Sequence, residues 1–440
     1  MIRTVLLLFI AFLTFASCNS LKDGLGRKSP HERYARMLQE SKLENTALGS
    51  EWIAAASRAL VSPVSIQLPY REKGFVEADD PTASGFVFSL KRGEIVVVEL
   101  TMIPENSLNI FLDLWRRAGA EEPDHLESSD TSSSALRHEV KEDGNYILRI
   151  QPELLRAFEY TLTIRTEPSL AFPVDLRHNP RVQSYWGADR DGGVRRHEGI
   201  DIFASKGTPA IAIAEGRVSR VNENVLGGKV VFMRPGRSNV SIYYAHLDSQ
   251  LVREGQRVEI GDTIGLIGNT GNARTTPPHL HLGIYAAGGA IDPFPFVNYN
   301  RPLPGNFSVE KDILNSMVRN TSAANFEYVS TTAMHRVPIQ PNSAMKVIAA
   351  TEKTYRVELP GGSTGLINKN LISKGTIRKI TLRDSTRLLD QPHPNAAARM
   401  EIQPGTTVDI LGINGNFHYV RVEAAEGWII PPGQTPPLTN

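Results

Sequence analysis

Three short histidine clusters hold the residues best suited to chemistry. His197-Glu198-Gly199-Ile200-Asp201 opens the series, Val240-Ser241-Ile242-Tyr243-Tyr244-Ala245-His246 follows, and His279-Leu280-His281 closes it, all within 85 residues. Gly199, Ile200, Ile202 and Phe203 favour extended chain around the first cluster. In a strand, residues i and i+4 share a face, which points His197 and Asp201 the same way. An i, i+2 pair such as His279 and His281 shares a face only on a strand, because on a helix the two rings would diverge by about 200°. His246 falls near the end of a third strand-like run. Two neutral imidazoles and one carboxylate suit a catalytic zinc ion, with the fourth tetrahedral position left for water. The helical His-Glu-x-x-His signature is absent, since position 201 is aspartate and Gly199 disfavours a helix. On a strand Glu198 faces away from His197, which removes it as a general base.

Elements dense in glycine and β-branched residues must position these clusters, and they lie within a longer chain. At 440 residues the length suits about three domains. With 41% apolar and 22% charged residues, cores can be buried and wholesale disorder is excluded. Lysine and arginine total 48 against 47 acidic residues, a net charge of +1 that gives no electrostatic footprint for nucleic acid. A single cysteine, Cys18, excludes an internal disulfide framework and a thiolate metal cluster.

The expected fold class is mainly β and multidomain. Arg3, the apolar run 5–13 and the small residues up to Cys18 read as an export signal too short for a membrane span. Ala16-Ser17-Cys18 resembles the lipobox of bacterial lipoproteins, which implies residues 1–17 as signal peptide and lipidation of Cys18. Residues 18–63 form a linker and a helical segment, with Gly49 as the break between two helices. Residues 64–166 show short alternating strands that predict a β-sandwich, and Gly144 to Ile164 resembles the closing strands of pre-peptidase C-terminal domains. Residues 170–300 hold the histidine clusters on an antiparallel sheet. Segments 326–373 and 375–432 are each of small-barrel size. Their endings, Ser363-Thr364-Gly365-Leu366-Ile367 and Glu426-Gly427-Trp428-Ile429-Ile430, resemble the closing strand of bacterial SH3-like domains, which implies two small SH3-like barrels.

His197-x-x-x-Asp201, Tyr244-Ala245-His246-Leu247 and His279-Leu280-His281 resemble the three signature motifs of the lysostaphin/LytM family of zinc endopeptidases, the M23 family. The resemblance is continuous from about Ser184 to Phe296, through Ser184-Tyr185-Trp186-Gly187, Gly207-Thr208-Pro209-Ala210 and Asn269-Thr270-Gly271-Asn272. It departs at Pro277, where glycine is usual, and at Leu282-Gly283, where many members have phenylalanine and glutamate. By motif position it implies His197, Asp201 and His281 as ligands of one zinc ion, with His246 and His279 as catalytic histidines. It implies hydrolysis of peptide cross-links or stem peptides of bacterial peptidoglycan. Some members have instead lost catalysis and regulate other wall hydrolases, so a non-enzymatic regulator or scaffold is the alternative. The implied partners are peptidoglycan peptides, a membrane reached through lipidated Cys18, and a regulatory protein. The implied location is a bacterial membrane facing the wall, in the periplasm, and the outer membrane if the cell is Gram-negative.

Overall fold

The computed structural model describes residues 28–104, 108–117, 119, 122–130, 133–236, 239–310, 312–329 and 334–431. The signal segment 1–17 and Cys18 lie outside the described residues. Among the described residues no helix is long and apolar enough to cross a membrane.

Two helices come first among the described residues, Pro30–Glu40 and Ala47–Val61. Ser29 and Glu32 close a capping box on the first, and the Thr46 hydroxyl accepts from Gly49 N–H to cap the second. The break falls before Thr46, at Lys42 (φ +58°) and the short turn Leu43–Asn45, and not at Gly49. Gly49 sits in the first turn of the second helix, where a Cβ would lie 2.0 Å from the Leu43 carbonyl oxygen. Its role is therefore close approach and not interruption. Leu38, Trp52 and Phe111 bury together, His31 stacks on Trp52 with ring centroids 4.7 Å apart, and Trp52 Nε1 donates to the Pro152 carbonyl at 2.8 Å. These contacts fasten the helices to the following strands.

Those strands form two facing sheets around a core that includes Phe86, Val98, Leu112, Leu148, Leu162 and Ile164. One sheet contains Ser84–Leu90, Gly144–Pro152 and Ile110–Arg117, and the other Tyr70–Val76, Phe158–Pro168 and Glu94–Ile103. Both sheets contribute inward-facing side chains to this one core, which makes it a β-sandwich.

No closed barrel is found among the described residues, which differs from the two SH3-like barrels expected at 326–373 and 375–432. The strands of the first segment are shared between the sandwich sheets. Val64 pairs with Tyr328, while Lys73 and Gly74 pair with Ala350 and Ala349. The sandwich offers open strand edges there, and continuing the ladder satisfies their backbone groups. The seam is reinforced by a buried bidentate ion pair, Arg356 to Glu72, with both contacts 3.0 Å. The second segment forms a six-stranded sheet with its own core around Leu388, Val420 and Ile429.

Between the sandwich and these segments lies a ten-stranded sheet. Its central strands run in the order Arg181–Ser184, Ile200–Phe203, His279–Ala286, Ser241–Gln250, Gly228–Pro235, Gly216–Asn224, each antiparallel to the next. Ile200, Ile202, Leu280, Leu282, Ile242 and Tyr244 point to one face and are fully buried. The residues between them, including Asp201, His281 and Tyr243, point to the other face, as the two-residue period of a strand requires.

Candidate metal centre

Asp201 and His281 stand directly opposite one another in the register of Ile200–Phe203 against His279–Ala286, and His281 is also opposite Ala245. His279 lies two residues earlier on the same strand and therefore on the same face. His197 arrives differently from the sequence expectation. It precedes the strand, and four residues of straight strand would span about 13 Å. The chain bends at 197–199 instead, leaving His197 Nε2 only 3.1 Å from Asp201 Oδ1. Gly199 makes the bend possible, because a Cβ there would lie 2.5 Å from the Leu282 carbonyl oxygen and 2.7 Å from His281 Nε2.

His246 depends on a bulge. Between the pairs Val231↔Tyr244 and Lys229↔Leu247, the strand Ser241–Gln250 carries one residue more than its partner. His246 takes φ +60°, so Leu247 returns to the core while the His246 ring comes to the opposite face. Its ring centroid lies 5.0 Å from that of His279 and 5.8 Å from that of His281. A non-glycine residue in this region costs backbone energy, and such positions concentrate at functional sites.

The atoms converge as a ligand set. His197 Nε2, Asp201 Oδ1 and His281 Nδ1 lie 3.0–3.1 Å from one another. Ligand atoms about 2.0–2.1 Å from a tetrahedral zinc ion are about 3.3 Å apart, so the three fit one metal with little adjustment. Supporting contacts fix which nitrogen is offered. His197 Nδ1 donates to the Tyr185 carbonyl at 3.0 Å, which leaves its Nε2 lone pair for the centre. His246 Nδ1 and His279 Nδ1 each lie 2.9 Å from a backbone carbonyl, of Thr270 and Pro277 respectively. Both therefore turn Nε2 toward the centre, and His279 Nε2 is 3.9 Å from Asp201 Oδ1.

Burial alone would raise the Asp201 carboxyl, but contacts with His197 and His281 hold it far below the usual carboxylate range. Burial lowers the His281 imidazole despite the neighbouring Asp201. Burial, followed by the charges of His281 and His279, lowers His246 to about 4. Asp201 is thus an anion and His246 a neutral base at pH 7.

Sequence reasoning missed Arg190 and the role of Ser184. Arg190 Nη2 donates to Asp201 Oδ2 at 2.5 Å and to Ser184 Oγ at 2.8 Å, and Ser184 Oγ lies 3.2 Å from His197 Nδ1. One Asp201 oxygen thus faces the two imidazoles while the other is held by Arg190. No periodicity links Arg190 to the clusters, so only its proximity to Ser184-Tyr185-Trp186-Gly187 could have drawn notice.

Residues 195–293 match the model of peptidase family M23. The chain carries an M23 peptidase domain. Over 137 residues it is 38% identical to an L-Ala--D-Glu endopeptidase of Bacillus subtilis, covering 28% of this chain and 42% of that protein. Over 116 residues it is 38% identical to the peptidoglycan DD-endopeptidase ShyC of Vibrio cholerae, covering 26% and 25%. It is also 35% identical over 118 residues to the murein hydrolase activator NlpD of Escherichia coli, covering 27% and 29%. The chain spans between about a quarter and two-fifths of the length of these relatives.

Proposed function

We propose that this protein is a zinc-dependent endopeptidase that hydrolyses peptide cross-links or stem peptides of bacterial peptidoglycan. The observation that carries the reading is the convergence of His197 Nε2, Asp201 Oδ1 and His281 Nδ1 beside two further histidines. His197, Asp201 and His281 would hold the metal. A zinc ion bound there would supply Lewis acidity, polarising a peptide carbonyl and making water a nucleophile at neutral pH.

The protein's own groups complete the chemistry. His246 and His279 each keep Nδ1 engaged with a backbone carbonyl and turn Nε2 to the centre. A neutral Nε2 can accept the proton of an attacking water and later return it to the leaving amine. Once protonated at Nε2, the second histidine can donate to the carbonyl oxygen and stabilise the charge that collects on the tetrahedral oxygen. A peptidoglycan DD-endopeptidase and an L-Ala--D-Glu endopeptidase among the relatives support the substrate class.

A second reading is a non-enzymatic, wall-bound regulator or scaffold that activates other hydrolases, favoured by the likeness to a murein hydrolase activator. The complete histidine and aspartate set favours the enzyme. We also propose a lipid anchor on Cys18 that holds the protein at a membrane facing the wall, with the β-rich segment 375–432 binding wall peptides or a regulatory protein. The test is incubation of the zinc-loaded chain with purified peptidoglycan fragments, alongside His246→Ala. A new amine and carboxyl pair absent with the variant supports the enzyme. No cleavage by the zinc-loaded wild type refutes it.

A further inference from the structure

The sheet face that carries His281 continues well beyond the metal centre. In the adjacent cross-strand row, Gly283 stands opposite Tyr243, Tyr243 opposite Phe232 and Phe232 opposite Arg220. The Tyr243 and Phe232 ring centroids are 4.5 Å apart, Tyr243 is 5.9 Å from the His281 ring, and the Arg220 guanidinium lies 5.5 Å over Phe232. Gly283 adds no side chain to this row; a Cβ there would press to 3.0 Å from Tyr285 and 3.4 Å from Tyr243. The result is a half-exposed aromatic shelf leading from the metal centre to a cation.

The far end of the shelf is strongly basic. In the next row Arg234 and Arg217 stand directly opposite each other in register. Like charges so placed destabilise a sheet, and Arg220 on the same strand adds a third. All three arginines are exposed, and among the described residues none has a carboxylate within ion-pair distance. Three unneutralised guanidinium groups on one face form a receptor for carboxylates, which they can bind bidentately.

We propose that this shelf is a second subsite of the M23 domain, and that it takes an acidic residue of the peptide substrate while the aromatic rings support the intervening chain. The inference rests on the endopeptidase reading for the identity of the peptide. Arg220 lies three strands from His281, about 14 Å at the usual strand spacing, which an extended peptide covers in about four residues. The acidic group recognised is therefore several residues from the bond that is cut. Arg220 and Arg234 are specificity residues and take no part in the reaction at the metal.

The test uses the full metal-free chain and a fluorescein-labelled peptidoglycan stem peptide in two forms, with free carboxylates and with the same carboxylates amidated. Equilibrium anisotropy is read for the wild type, for the double variant Arg220→Gln, Arg234→Gln, and for Arg220→Lys, with circular dichroism to verify folding. The free acid is expected to bind wild type at least tenfold more tightly than the amide. The double variant is expected to lose that preference without changing affinity for the amide, and Arg220→Lys to retain most of it. In the zinc-loaded enzyme the double variant is expected to raise KM about tenfold for the free acid at unchanged kcat. Equal binding of both forms to wild type, or equal weakening of both by the double variant, overturns the subsite. If the wild type cleaves nothing yet the anisotropy contrast holds, the endopeptidase reading fails and the carboxylate site stands.

Discussion

Asp201 and His281 face each other across one antiparallel register, with Asp201 Oδ1 3.1 Å from His281 Nδ1. Strand pairing rather than loop conformation sets two of the three candidate ligands, so their spacing is as rigid as the sheet itself. Asp201→Asn keeps the shape and removes the anion. Its zinc affinity is expected to fall more than about 100-fold, beyond the loss typical of a supporting partner. Metal content after dialysis against a chelator measures this, and the far-ultraviolet circular dichroism should stay unchanged.

His246 contributes no atom to the three-residue set. His246→Ala is expected to retain zinc at the wild-type stoichiometry while losing about 10²–10⁴ in kcat, the range for removal of a positioned acid–base group. Paired metal analysis and initial rates on a peptidoglycan peptide separate the two effects. Loss of zinc together with the rate would place His246 among the ligands instead.

Arg190 joins Asp201 Oδ2 to Ser184, and through it to His197. Arg190→Ala is expected to weaken zinc binding by about 10–100-fold, the usual cost of losing a group that orients a ligand. Competition with a calibrated chelator reports the change. Arg190→Lys should recover part of it, since both contacts leave the single nitrogen Nη2 and an ammonium can donate to both partners, though from a shorter side chain.

His31 is buried between Trp52 and Phe111, and its Nε2 donates to Gln151 Oε1 at 2.7 Å. Burial first, then the nearby Arg149 charge, lowers it to about 4 from an ordinary 6.5. The unfolded chain therefore takes up the proton more readily than the folded one. Stability from this residue is whole above about pH 6.5 and declines as the pH falls toward about 4, by up to about 3 kcal/mol. Denaturant midpoints across that window, flatter in His31→Gln than in wild type, measure it.

Much of the geometry of the candidate site was legible because strand alternation is a strict rule. His279 and His281 needed only the i, i+2 spacing, and the strand His279–Ala286 places them on one face. His197 and Asp201 were paired on alternation as well, yet a bend at Gly199 brings them together, and no straight strand could. The His246 bulge was not legible, because one extra residue in a ladder leaves no mark in hydrophobic pattern. Nor was the sharing of sandwich sheets with residues beyond 320. Patterning reports which face of a strand is buried but not which distant strand completes its edge.

The pairings Val64↔Tyr328 and Lys73↔Ala350 bracket the entire M23 domain in sequence. The domain is thus a guest inserted into a host that is finished only after the guest has been made. Leu170 N–H donates to the Phe296 carbonyl at 2.9 Å, so the guest enters and leaves the host at nearly one point. A graft that replaces 170–300 with a short connector could therefore leave the host whole. A chain truncated after residue 300 would carry a complete M23 sheet attached to two unpaired host edges, a ready template for aggregation.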